Sequence, residues 1–189
     1  MQTLARSQAE ASTRRSRVLD LLLAVAVGFV AALAKRYLDW RLGIPGSGGV
    51  GWIAVLVAGS LVNPRRGMAV VAGLSMAVWG VPVGLGHSLA YNATLYGIAA
   101  AAIEALRIIR LPIARWWGSA ATGAVVHVAK YAVIVGNAWL SGIIRNFEIY
   151  GMLAALRNHI VFGVAGGLAG WGAWRIGRRS ARWLAGRFS

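Results

Sequence analysis

Lys130 and Arg157 each fall inside a long apolar run, where an ionisable side chain is costly and normally faces a cavity or a partner. His127, Tyr131 and Asn137 share the run of Lys130. Their offsets place all four near one face of a helix. A second apolar run carries Ser88, Tyr91, Asn92 and Tyr96, and a third carries Arg157, Asn158 and His159. Two cations with no acid at matching depth suit an anionic group such as a carboxylate or phosphate. Asn92, Asn137 and Asn158 could orient a ligand by hydrogen bonds, and Tyr91, Tyr96 and Tyr131 could wall a ring. The alternative is that Lys130 and Arg157 snorkel to the interface or pair with Glu148.

Other chemistries find less support. His87, His127 and His159 could hold a metal only if they converged; no H-E-x-x-H motif and no cysteine is present, so no metal site is expected. Paired acids for general acid–base work are lacking, since Asp20 and Glu104 lie far apart in sequence. Neither G-x-S-x-G nor a Walker A sequence occurs, so the chain is read as no enzyme and without a cofactor, any ATP being used by partner subunits. Gly46, Gly48 and Gly51 match G-x-G-x-x-G, but no strand precedes them, which excludes a dinucleotide site. This loop is either an ordinary turn or a lid over a pocket, with Ser47 as a contact.

The elements that must position these groups are membrane helices. Of 189 residues, 58% are hydrophobic and 13% charged, too little polar material to coat a soluble domain. Apolar runs cover 18–34, 50–62, 68–83, 88–106, 116–140 and 150–174, six spans of which the second and third are short. The expected fold is an all-α membrane protein, a compact bundle of six transmembrane helices at 18–176. A basic segment at 1–17 precedes it and a basic tail at 177–189 follows.

The net charge of +15 comes from 20 Lys+Arg and 5 Asp+Glu. Nucleic acid is not the expected partner, because the apolar runs between the cations are too long. With both termini inside, fourteen cations, Arg6, Arg14, Arg15, Arg65 and Arg107 among them, fall on the cytoplasmic side. Four, Lys35, Arg36, Arg41 and Arg145, fall outside. The positive-inside rule thus gives N-in, C-in in a multi-pass protein of the cell membrane. Tyr37, Trp40, Trp139, Phe147 and Tyr150 would mark the outer interface, and Trp116, Trp117, Trp171 and Trp174 the inner one. A cleaved signal peptide ending near Ala32-Leu33-Ala34 is the competing reading of the first span.

On this topology the polar residues of spans four, five and six lie in their outer halves. Apart from Thr122 and Glu104, the inner halves are mostly apolar. A pocket open to the outside is expected. Small residues also recur: Ala24, Gly28 and Ala32 on span one, Gly163 and Gly167 on span six, with Gly166 and Gly170 offset. Such spacing permits close helix contact, either within the bundle or, for span one, against another membrane subunit.

The loop Leu42-Gly-Ile-Pro-Gly-Ser-Gly-Gly leads into Trp52-Ile-Ala-Val-Leu-Val-Ala-Gly-Ser-Leu-Val. Asn63-Pro-Arg-Arg-Gly-Met-Ala-Val-Val-Ala-Gly73 and a Gly84-Leu-Gly-His-Ser turn follow. This run resembles the substrate-specific S components of energy-coupling factor (ECF) transporters. The resemblance implies six helices, outward capture of a small molecule and a loop after helix one that covers the site. It also implies docking of helix one, through Ala24, Gly28 and Ala32, on a transmembrane T component that works with two ABC ATPase subunits; Gly28 stands where the family has alanine. The substrate does not carry over. The metal-binding members' N-terminal histidine has no counterpart in Met1-Gln2-Thr3. The expected role is a binding subunit of an importer for an anionic, vitamin-like molecule. A structural or assembly membrane protein, or a histidine-dependent intramembrane enzyme, are the alternatives.

Overall fold

The computed structural model describes residues 2–38, 43–142 and 149–187, with backbone alone for 2–15, 149 and 150. Asp39, Trp40, Arg41, Leu42, Arg145, Phe147 and Glu148 lie outside the described residues, as do the side chains of Arg6, Arg14, Arg15 and Tyr150.

The described residues form six α-helices: α1 (Gln2–Tyr37), α2 (Val50–Val62), α3 (Met68–Gly80), α4 (Leu89–Ile108), α5 (Trp116–Leu140) and α6 (Ile149–Ala185). A short 3₁₀ turn, Ser47–Gly49, leads into α2, and no strand occurs among the described residues. Among the described residues, four helices are long and apolar enough to cross a membrane: Ser16–Tyr37 within α1, α4, α5 and Gly151–Ala185 within α6. α2 and α3, 13 residues each, are only about 20 Å long at about 1.5 Å per residue, short of a hydrocarbon core of about 30 Å. Both basic ends are continuous with helices, since α1 already begins at Gln2 and α6 runs on to Ala185.

Glycine decides where the helices meet. A methyl group on Gly123 of α5 would overlap the Gly163 carbonyl and the Gly167 backbone of α6, so these two helices touch main chain to main chain. Gly166 and Gly170, one turn round α6, do the same against Val50, Ile53 and Ala54 of α2. α6 therefore wedges between α5 and α2. On α1, Ala24 and Ala32 are buried and Gly28 lies against Ala72, Ser75 and Met76 of α3. At Gly28 this stripe therefore packs within the bundle, against the chain's own α3. Outward faces remain apolar, as at Leu19, Leu22, Val30, Val78 and Leu140, which suits lipid as the surrounding solvent.

One end of the bundle is held by a polar clamp. Arg65, in the α2–α3 turn, forms an ion pair with Asp20 of α1, and Asn63 donates to the Asp20 carbonyl at 2.9 Å. Glu104 of α4 accepts from the Ala69 amide and from Arg107, both at 3.0 Å. Arg107 also donates to the Ser60 carbonyl. Trp171 of α6 donates to the Ala114 carbonyl at 3.0 Å, adding the α4–α5 connection to the same end. This end is more polar than the sequence suggests. Arg107 reads as a loop cation, but it sits in the last turn of α4 and folds back over α2's exposed carbonyls.

Two consequences can be measured by thermal unfolding in detergent. Gly123→Val will destabilise by about 1–3 kcal/mol, because backbone on α6 cannot yield to a new side chain. Gly136→Ala, whose added Cβ meets nothing within 4 Å, will be close to neutral. Arg107→Met will cost about 2 kcal/mol through the charge-assisted bonds lost at Glu104 and Ser60.

Candidate functional site

At the end opposite the clamp, four stretches of chain surround a cavity of about 380 Å³. Lys35 and Arg36 enter from the last turn of α1 and His87 from the α3–α4 connection. Tyr91 and Tyr96 come from α4 and Lys130 from α5. Leu85, Leu95 and Ile134 add apolar wall. No acid lines the cavity among the described residues.

Local sequence explains the placement. Ser88 caps α4, its hydroxyl accepting from the Tyr91 amide. This starts the helix where Tyr91 and Tyr96 come to line the cavity. Gly84 and Gly86, both with positive φ, turn the chain ahead of it and bring His87 over Tyr91, ring centroids 4.9 Å apart. Lys130 lies over two rings, with its ammonium 5.4 Å from the centroid of Trp52 and 5.8 Å from that of Tyr96. Trp52 is fully buried and meets Tyr96 edge-on at 5.5 Å. The cavity thus has cations around an aromatic floor, an arrangement that attracts a compact anion and stacks on a flat one.

Beside the cavity lies a second cluster, in which the buried His159 Nδ1 has no hydrogen-bond partner among the described residues. His127 is buried, 4.3 Å from the His159 ring between centroids, and its Nδ1 donates to the His159 carbonyl at 2.9 Å. Tyr131 stacks on His159 at 4.6 Å and donates to the Met152 carbonyl at 3.0 Å. The glycine loop seats on this stack. Gly49 packs on the His127 imidazole and Gly46, at φ 91°, on His159. Ser47 is buried within the same loop. The segment is therefore a packed turn whose missing side chains let it lie flat on two histidines.

Of the residues singled out by sequence, Lys130, Tyr91 and Tyr96 meet at the cavity. His127, Tyr131 and Ser47 belong to the neighbouring cluster. Asn92 is buried under the His87 turn, donating to the His87 carbonyl at 3.4 Å, while its Oδ1 has no hydrogen-bond partner among the described residues. Arg157 and Asn137 are exposed and Asn158 is half-buried; none of the three lines the cavity. Sequence reasoning missed Lys35, Arg36, His87 and Trp52. Lys35 and Arg36 read as interface cations and His87 only as a possible metal ligand, and their one signal is that they lie at the end of α1 and just before α4, on the same side as Lys130. The three histidines do not gather: no group of three or more metal-ligating side chains occurs among the described residues. No family model, curated protein or solved structure matches the chain.

The loop contact is open to test. Gly49→Ala forces a methyl group into the His127 ring. It will raise hydrogen exchange across 46–50 and lower stability by about 1–3 kcal/mol. Unchanged exchange would mean that the loop does not rest on the histidines.

Proposed function

We propose that the chain is the substrate-binding subunit of an ECF-type importer, a multi-pass protein of the cell membrane that captures a small anionic, vitamin-like molecule from outside. The reading rests chiefly on one observation: Lys35, Arg36 and Lys130 ring a cavity that has aromatic walls and no acid in its described lining. That cavity lies at the end away from Arg65 and Arg107. With the arginine-rich end inside, by the positive-inside rule, the cavity opens outward. Six spans with both termini inside complete this topology, α2 and α3 crossing where the bilayer thins. Lys130 supplies the counter-charge, with Lys35 and Arg36 at the rim, and Tyr91 and Tyr96 receive the flat part of the ligand. ATP hydrolysis belongs to two ABC ATPase subunits coupled through a transmembrane T component. The binding subunit itself carries no cofactor and performs no catalysis. Because Gly28 packs on α3 and Ala24 and Ala32 are buried, docking on the T component would use another face of the bundle.

A structural or assembly role is the competing reading. It draws on His127 and Tyr131, which commit their polar atoms to the α6 backbone.

Native mass spectrometry of the purified chain separates the two. The importer reading expects a retained small anion. Lys130→Met will weaken its binding by about 2 kcal/mol, roughly 30-fold. Arg157→Met, remote from the cavity, will leave binding unchanged. A chain that retains no ligand, or binding indifferent to Lys130→Met, would refute the assignment.

A further inference from the structure

A second ligand surface lies on the outside of the bundle. One groove of about 380 Å³ runs between α1, α2 and α6, and another of about 540 Å³ runs between α2 and α6. The two share Ala58, Val62 and Ala173, so they form one continuous furrow. It follows α2 from Ala54 to Val62 and α6 from Ala173 to Ala181, about 12 Å along each helix at about 1.5 Å per residue. At the α1 end its walls are aliphatic, as at Leu23 and Val30. At the α6 end they become Trp174 and Arg178.

That end is built for a negative group. From residue 171 to the C-terminus the sequence has five arginines and no acid. Three of the guanidiniums are stacked on indoles: Arg175 on Trp171 and Arg178 on Trp174, each 4.9 Å from the ring centroid, and Arg187 on Trp183 at 3.9 Å. Arg182 bonds back to the Arg178 carbonyl at 3.3 Å. Stacking restrains each planar fork before any ligand arrives, and such forks match phosphate oxygens. Tryptophan interleaved with arginine also marks a headgroup level.

We propose that this furrow binds an anionic phospholipid, with the headgroup phosphate at Arg178 and an acyl chain along Val62 and Ala173 toward Leu23. The apolar length disfavours a free phosphate. The surplus of arginine disfavours a lipid that carries its own cation. The site requires that the chain sit in a bilayer, and it is independent of any ligand in the Lys130 cavity.

Native mass spectrometry of the full chain, titrated with phosphatidylglycerol or phosphatidylcholine, tests the site. Phosphatidylglycerol is expected to be retained about tenfold better, and Arg178→Gln should reduce its retention about tenfold. Gly177→Leu keeps every charge and points its side chain into open space, since an added Cβ there meets nothing within 4 Å. It should fold normally and block retention to a similar extent. Arg110→Gln, a cation away from the furrow, should change nothing. Equal retention of the two lipids would overturn the proposal. So would an equal loss in Arg110→Gln, which would mean diffuse attraction, or a protein subunit that fills the furrow and excludes lipid.

Discussion

Backbone contact at glycine sets the geometry of this bundle. Between apolar helices in an apolar solvent there is little hydrophobic drive to associate, so close packing of main chain carries much of the cohesion. Gly123 against Gly163 and Gly167 draws α5 onto α6, and Gly166 and Gly170 draw α6 onto α2. These two contacts bring Lys130 above Trp52 and place His127 beneath the His159 ring. Larger residues at any of these glycines would push the helices apart and open the floor of the cavity.

Polar groups are divided between the two ends in different ways. At the arginine-rich end they satisfy one another: Asp20 with Arg65, Glu104 with Arg107 and the Ala69 amide. At the other end His127 and Tyr131 donate to α6 carbonyls while the buried His159 Nδ1 has no hydrogen-bond partner among the described residues, and the cavity next to them gathers Lys35, Arg36 and Lys130 around rings. Satisfied polar networks rigidify a core. The cavity instead sets cationic and aromatic side chains around open space. The proposed division of labour, a rigid inner end and a receptive outer one, follows from that contrast.

The long helix α6 links both proposals. Its first half supplies His159 and the Met152 carbonyl to the histidine cluster, and its last turns carry the Arg–Trp pairs beyond the packed core. Because α6 is one unbroken helix from Ile149 to Ala185, these two regions are held at a set distance and rotation.

Composition and hydropathy alone determined that the chain is all-helical and apolar on its outside, and they placed α2 and α5 at the bounds observed, because the turn residues Asn63-Pro64 and Pro112 interrupt strong apolar runs. Period also put Lys130 on one helix face with His127 and Tyr131, and depth alone singled out Tyr91 and Tyr96. Sequence could not tell which side of a small-residue stripe would be covered. Ala24, Gly28 and Ala32 look the same whether α3 or another subunit packs on them, since spacing reports a flat face and not its neighbour. Nor could it separate the histidine cluster from the cavity or exclude Arg157, because residues at one depth can point to different sides of a bundle. Those choices were made by helix rotation and by glycine contacts between segments far apart in the chain, which no local pattern encodes.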